Sequence, residues 1–186
     1  RLDERRMPPH PLHEPILDWY SHAARDLPWR RPEASAWGVL VSEVMLQQTP
    51  VARVEPVWRS WVARWPVPAD LAAEAPGEAV RAWGRLGYPR RAKRLHECAT
   101  QIATQHGDVV PSDVETLLNL PGVGAYTARA VACFAYGSRV PVVDVNVRRV
   151  VARAGDGRAD AGSPSTVRDH AAVEALLPTG PDSAVF

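Results

Sequence analysis

Lysine is almost missing from this chain: Lys93 is the single lysine among 22 basic residues, and the rest are arginine. Cysteine is equally scarce, with only Cys98 and Cys133. Both sit inside helical patterns and read as small core residues, which excludes a disulfide framework or a thiolate metal cage. Apolar runs are far too short for a helical membrane span, and no signal-peptide pattern is present. An intracellular, soluble protein, in the cytoplasm or nucleoid, is the expectation. Repeats and low-complexity tracts are absent. A formal net charge of only +1 excludes a globally basic, sequence-indifferent nucleic-acid coat.

At 186 residues the chain is long enough to bury a real core in one or two compact domains. Its apolar periodicity is helical almost throughout, with no alternating strand pattern, so an all-α fold is predicted. Helices are expected near Pro11–Ala24, Ala36–Gln48, Pro50–Trp65, Ala69–Ala75, Gly77–Arg85, Pro89–His106, Ser112–Leu118, Ala125–Tyr136, Val145–Ala154 and Ser165–Leu177. Prolines stand at several starts, where a missing N–H costs little. Ala154–Pro164, rich in Gly, Asp and Ser, reads as a mobile connector. The first residues, Arg1 to Pro11, are expected to fray. Arg1 is not an initiator methionine, and Pro178–Phe186 begins like a new element and stops, so a fragment is expected. Positive charge is local: Arg81, Arg85, Arg90, Arg91, Lys93 and Arg94 cluster, and Arg139, Arg148, Arg149 and Arg153 follow later. Such patches suit phosphates, and equally suit a solvated helix face.

Chemistry concentrates in a few places. Leu120-Pro121-Gly122-Val123-Gly124 is a tight glycine turn between two helical segments. The first segment opens with Ser112-Asp113-Val114-Glu115, which reads as a capping box. Unpaired amides at the start of the second helix, with that helix end's partial positive charge, suit a phosphate. Glu43 would have Val39, Leu40, Leu46 and Gln47 as its helical neighbours, three of them apolar. It is either an edge glutamate whose tip reaches water or a desolvated carboxyl able to hold a proton and act as a general acid. Asp144 precedes an amphipathic helix and is a favoured N-cap. The same rigid carboxylate could stabilise a nearby positive charge. Two carboxylates in contrasting environments suit acid-assisted cleavage of a glycosidic bond. Gln47, Gln48 and Thr49, with Tyr88 beside the basic cluster, suit contact with base edges and insertion into a base stack. Taken singly, each is equally an ordinary capping or packing residue.

Together these residues resemble the helix-hairpin-helix DNA glycosylase superfamily, and within it the MutY-type adenine DNA glycosylases. The resemblance runs from Leu27-Pro28-Trp29-Arg30 to Arg153. It rests on Ser42-Glu43-Val44-Met45-Leu46-Gln47-Gln48-Thr49, Gly87-Tyr88, the Leu120–Gly124 hairpin with Tyr126-Thr127-Ala128, and Val143-Asp144-Val145-Asn146-Val147. It implies an all-α, two-lobed fold with the active site in a cleft between lobes. One lobe, residues 28–137, would have six helices and carry the hairpin at about 112–136. Residues 1–27 and 138–186 would form the second, stopping short of the usual iron-sulfur segment. The implied activity is base excision of adenine mispaired with 8-oxoguanine or guanine in duplex DNA, with the adenine flipped out of the stack. By resemblance Glu43 protonates N7, Asp144 stabilises or attacks the sugar cation, and Tyr126 and Asn146 hold them in place. Arg30 and Leu46 would line the adenine pocket. Gln48 and Tyr88 would occupy the gap in the helix near the damaged guanine, Thr49 would be a further substrate-binding residue, and the amides around Gly122, Val123 and Gly124 would grip a phosphate.

The same resemblance implies a monofunctional enzyme acting as a monomer, without membrane attachment. Superfamily members that cut the strand use a lysine amine two residues after the last hairpin glycine; that position is Tyr126. Two departures stand out. Pro89 replaces a second aromatic after Tyr88, and the four cysteines that bind a 4Fe-4S cluster in many members are not in this chain. A second acidic residue of the adenine pocket and the family's C-terminal domain are also expected beyond Phe186. Two competing classes remain open: a glycosylase of this superfamily for another base, such as thymine in a G·T mismatch or an oxidised pyrimidine, and a non-catalytic helix-hairpin-helix DNA-binding module.

Overall fold

The computed structural model describes residues 10–186, so most of the start predicted to fray lies outside the described residues. Every regular element among them is helical. In chain order they are α1 (His13–Ala23), a 3-10 turn (Pro28–Arg30), α2 (Ala36–Leu46), α3 (Val51–Arg64), α4 (Pro68–Ala72), α5 (Pro76–Trp83) and α6 (Arg90–Gln105). There follow α7 (Val114–Leu118), α8 (Ala125–Tyr136), α9 (Val145–Val150), α10 (Thr166–Leu176) and a final 3-10 turn (Pro181–Ala184). The chain divides into two compact units, Asp26–Tyr136 and a second made of the flanking segments. None of the described helices is long and apolar enough to cross a membrane.

In the unit Asp26–Tyr136, α2 packs on α3 and α8, and α6 lies across α4 and α5. The sequence of α2 explains its central place: Trp37 to Ser42, Val44 and Met45 are all buried, so the helix is covered almost all round. Ser35 caps it, accepting from the Gly38 amide at 3.0 Å. Tryptophans fill much of the surrounding core. Trp61 meets Trp65 and Trp83 edge-on, with ring centroids 4.8 and 5.8 Å apart. Trp58 lies against Gly38, where an added Cβ would stand 3.1 Å from its ring, and donates its indole N–H to the Gly38 carbonyl at 2.7 Å. In α6 the buried residues Ala92, Leu95, His96, Ala99 and Ile102 recur at helical spacing.

Most helix ends differ from expectation by a residue or two, α4 stopping three residues early at Ala72, and one difference has a clear cause. Asp113, not Ser112, caps α7: its backbone is extended, and its Oδ1 accepts from the Thr116 amide at 2.8 Å. A charged oxygen at that position displaces the hydroxyl one residue earlier.

In the other unit, arginine forks hold the backbone. Arg139 donates to the Glu174, Leu177 and Pro178 carbonyls at the end of α10, at 3.0, 2.9 and 3.2 Å. Arg148 pairs with Asp169 at 2.6 Å and donates to the Ala161 and Gly162 carbonyls. The segment expected to be a mobile connector is therefore tied down along its length. The expected helix Val145–Ala154 is regular only to Val150 and then widens over Val151–Gly155, where the Asp156 amide reaches back five residues to the Val151 carbonyl. His13 reaches the Leu176 carbonyl at 2.6 Å, and the Phe186 ring meets it edge-on.

Candidate functional site

Glu43 occupies the middle of α2, flanked in sequence by buried Ser42 and Val44. Burial pushes its carboxyl up from the ordinary 4.5 to about 7, and the charge of Arg30, from the preceding 3-10 turn, opposes part of that rise. Glu43 itself is half-buried, so the raised carboxyl favours the desolvated reading over an edge glutamate reaching freely into water, although part of the side chain stays accessible. Leu46, one turn on, is half-buried, and Arg30 is exposed.

Just beyond Leu46 the chain turns sharply. Gln48 takes a left-handed backbone, φ 56°, and so does Tyr88, φ 48°, after Gly87. Non-glycine residues in this region are strained by roughly 1–3 kcal/mol and persist only where their surroundings over-determine them. Both are exposed, and both line an open cavity of about 340 Å³ together with Arg90, Arg91, Arg94 and Gly122. Thr49, expected to bind substrate, is instead buried. Its hydroxyl donates to the Leu86 carbonyl at 3.3 Å and accepts from Arg91 at 2.9 Å, so it stands behind the cavity as a tie between two loops. Gln47 reaches across to α8, donating to the Thr127 hydroxyl at 3.3 Å.

Sequence reasoning missed the residue that organises this corner. Arg91 was one of several clustered cations, yet it points inward. Its Nη1 donates to the carbonyls of Val44, Met45 and Gln47 at 3.0, 3.1 and 2.5 Å. Its Nη2 donates to the Thr49 hydroxyl at 2.9 Å and the Gly87 carbonyl at 3.2 Å. The guanidinium also lies over the rings of Trp83 and Tyr88, 5.1 and 5.7 Å from their centroids. The one signal in the sequence was its spacing from Gly87, one helical turn before it. Spacing alone does not tell a fork aimed at carbonyls from one aimed at phosphate.

The hairpin joins α7 to α8. Its closure uses one of the three expected phosphate-binding amides: Val123 N–H donates to the Leu120 carbonyl at 3.1 Å, the ordinary i→i+3 bond of a tight turn. Among the described residues the amides of Gly122 and Gly124 have no backbone acceptor. Gly124 supplies the carbonyl that accepts from Ala128 at 2.9 Å and so opens α8. Gly122 has to be glycine on two counts: φ is +78°, and a Cβ would stand 2.9 Å from the Cβ of Arg94. Replacing it with alanine is expected to cost at least about 1–2 kcal/mol for the left-handed backbone alone. Thermal unfolding should show the loss, and duplex binding should weaken with it. Tyr126 stands in the first turn of α8 with its ring partly exposed.

Asp144 belongs to the other unit, as the N-cap of α9. Its Oδ1 accepts from the Asn146 and Val147 amides at 2.8 and 2.7 Å, and its Oδ2 accepts from the Asn146 side chain at 3.2 Å. The carboxylate is therefore fixed by three donors, and Asn146 supplies two of them. Half-buried, it still faces solvent on one side.

Neither cysteine fits a metal role. Burial pushes the Cys98 thiol up to about 12 and that of Cys133 up to about 11, away from the thiolate a metal needs. They lie on different helices, α6 and α8. No group of three or more His, Cys, Asp or Glu among the described residues could hold a metal. The iron-sulfur cluster that the sequence resemblance implies has no ligand set among the described residues.

Comparison with known proteins places these features in context. The model of the HhH-GPD superfamily of base excision DNA repair proteins matches residues 41–173. An adenine DNA glycosylase of Mycobacterium tuberculosis is 65% identical over 173 residues, covering 91% of this chain and 57% of that protein. A thymine-DNA glycosylase of Aeropyrum pernix is 32% identical over 176 residues, covering 93% of this chain and 78% of that one. The solved structure of a thermostable thymine-DNA glycosylase superposes with a TM-score of 0.82 at 26% identity, over 93% of this chain and 80% of that one. The chain spans a little over half, 57%, of the length of the mycobacterial relative.

Proposed function

Since the chain belongs to the HhH-GPD superfamily of base excision DNA repair proteins, we propose that it is the catalytic part of a monofunctional adenine DNA glycosylase. Its substrate is adenine mispaired with 8-oxoguanine or guanine in duplex DNA. The observation that carries this reading is Glu43: a carboxyl held near neutrality, about 7, can be protonated at working pH and still give the proton up. Adenine leaves poorly as an anion. Protonation at N7 lets the bond between C1′ and N9 break with its electron pair going to a neutral leaving base. The sugar becomes oxocarbenium-like, water adds at C1′, and one proton is released.

The remaining residues take supporting parts. Asp144 is the anion that stabilises the sugar cation, and Asn146 fixes it. Tyr126 helps to hold the acid and the anion in place. Leu46 and Arg30 bound the adenine, Arg30 also restraining how far the Glu43 carboxyl rises. Gln48 and Tyr88 enter the stack beside the partner base, and the Gly122 and Gly124 amides take a backbone phosphate. The enzyme works as a monomer on intracellular DNA. A 4Fe-4S cluster, if bound, draws its thiolates from outside these residues.

A labelled duplex with one adenine opposite 8-oxoguanine, divided after incubation into alkali-treated and untreated halves, tests both the reaction and its simplicity. The expected result is strand cleavage in the alkaline half alone, meaning base loss without strand cutting. Cleavage in both halves would show a lyase and remove the argument from Tyr126. The likeness to thymine-DNA glycosylases makes a G·T duplex the natural second substrate. Excision of thymine but not adenine would overturn the assignment. Thymine has no purine N7 to protonate, so that outcome would also leave Glu43 without its role.

A further inference from the structure

Arg91 is half-buried and lines the cavity that Gln48 and Tyr88 share, yet its terminal nitrogens are turned to the chain itself, whereas Arg90 and Arg94 beside it are exposed. Its two terminal nitrogens collect acceptors from two separate stretches of chain: the end of α2 through Thr49, and Gly87 of the loop before α6. Each stretch carries one left-handed, non-glycine, exposed residue, Gln48 in the first and Tyr88 in the second. The third left-handed residue, Asp108, has an ordinary explanation, since its side chain accepts from the Ala69 amide at 2.7 Å. Tyr88 has only its carbonyl, which accepts the Arg91 amide at 3.0 Å, and among the described residues neither the Gln48 nor the Tyr88 side chain makes a hydrogen bond like that of Asp108. Thr49 adds a second tie between the same stretches through the Leu86 carbonyl, and the Trp83 indole N–H donates to the Gly87 carbonyl at 2.9 Å. Arg91 Nε is buried with no partner among the described residues, so the side chain's hydrogen bonds run through its two terminal nitrogens alone.

We propose that Arg91 is a positioning residue for recognition of the partner base: its guanidinium locks the Gln48 and Tyr88 loops into one strained unit facing the cavity they share. This rests on the glycosylase reading for its consequence, but not for its structural content. The four N–H groups of the two terminal nitrogens reach five acceptors in two directions by sharing, a spread that the three N–H groups of a lysine ammonium at one point do not match. Arg91 therefore acts through Gln48 and Tyr88, and its positive charge is not what DNA reads.

Arg91→Lys tests this in the full chain, with Arg91→Ala as the stronger change and Arg94→Ala as a control that removes a charge from the same cavity without breaking a tie between the two loops. Hydrogen exchange on the free protein reads positioning directly. Arg91→Lys is expected to speed amide exchange about tenfold in the segments around residues 46–50 and 84–89, leaving α3 and α8 unchanged. Binding to duplexes carrying a non-hydrolysable adenine analogue reads the consequence. Arg91→Lys should lose about tenfold of the preference for an 8-oxoguanine mispair over matched DNA, with the salt dependence of binding unchanged. In a Gln48→Ala/Tyr88→Ala background the same substitution should change that preference less than twofold. Arg94→Ala should weaken all duplexes alike and reduce the salt slope by about one.

Unchanged exchange in both segments, or a loss that persists in full in the double-alanine background, would overturn the proposal. So would an Arg91→Lys variant that behaves as the wild type while Arg91→Ala mimics Arg94→Ala, since Arg91 would then be a phosphate contact. If the wild-type protein excises no adenine and prefers no mispair, the glycosylase reading fails, and the exchange measurement still decides whether Arg91 locks the two loops.

Discussion

Glu43→Gln is expected to lower the rate of adenine excision by roughly 10²–10⁴-fold, the usual contribution of a positioned general acid, while duplex affinity stays within a factor of about two. Glutamine keeps the size and polarity of the side chain and removes only the transferable proton. The pH profile separates this loss from a packing defect. With the Glu43 carboxyl at about 7, the protonated, active form predominates below neutrality, and the single-turnover rate should fall tenfold per pH unit above it. The residual rate of the glutamine variant should lose that limb. A variant that retained wild-type turnover, or that kept the alkaline limb, would remove Glu43 from the chemistry.

The same substitution should stabilise the protein in alkali. The folded-state value of about 7 lies above the ordinary 4.5, so between these values the folded protein keeps a proton that the unfolded chain releases. Stability from this group is fully present below about 4.5 and is lost as pH rises through about 7. At pH 8 the buried carboxylate then costs up to roughly 3 kcal/mol, because each tenfold change in proton affinity is worth about 1.4 kcal/mol. Glu43→Gln escapes that cost. Its melting temperature should match the wild type at the acid end and exceed it by several degrees at pH 8, while its catalytic loss is largest below neutrality, where the wild-type acid is protonated. An inactive variant that is more stable only in alkali is the signature of a desolvated catalytic acid. A glutamate kept ionised by a partner would do the opposite, its glutamine variant being the less stable of the two above about pH 4.5.

Much of this was legible in the sequence, for reasons that particular residues make plain. The helices announced themselves because buried positions such as Leu95, Ala99 and Ile102 recur at helical spacing, and the hairpin because Gly122 and Gly124 punctuate it. Glu43 stood out because apolar neighbours leave a carboxylate with few ways to stay solvated, but spacing could not decide between desolvation and escape to water. That decision belongs to tertiary packing, in which α2 is covered almost all round by neighbouring elements. The arginines were hardest to read. Arg91, Arg139 and Arg148 look like phosphate contacts among so many exposed cations, yet each turns its fork to backbone carbonyls of its own unit. A guanidinium satisfies either kind of acceptor with the same donors, so composition carries no sign of which it meets. The left-handed Gln48 and Tyr88 were equally hidden. Their backbones are imposed by ties from Arg91 and Thr49 rather than preferred by the residues themselves.

Asp144→Asn is expected to separate structure from chemistry at the second carboxylate. As an N-cap, asparagine is about as good as aspartate: its side-chain oxygen can still accept from the Asn146 and Val147 amides that now bind Oδ1 at 2.8 and 2.7 Å. The amide of Asn146 can turn to offer its oxygen where it now donates to Oδ2. The helix is thus kept and the charge is lost. Excision should fall about 10²–10³-fold, the scale found when one preorganised electrostatic group is removed, with melting temperature and duplex binding nearly unchanged. Asp144→Ala should show the same catalytic loss together with about 1 kcal/mol of lost stability, because the cap disappears as well. If Asp144 were a cap and nothing more, the order would reverse: asparagine would keep full activity, and alanine would lose activity only in proportion to the fraction unfolded. Comparing the two substitutions at one temperature, by single-turnover excision and by thermal unfolding of the same samples, therefore distinguishes an anion that stabilises a sugar cation from one that only starts α9.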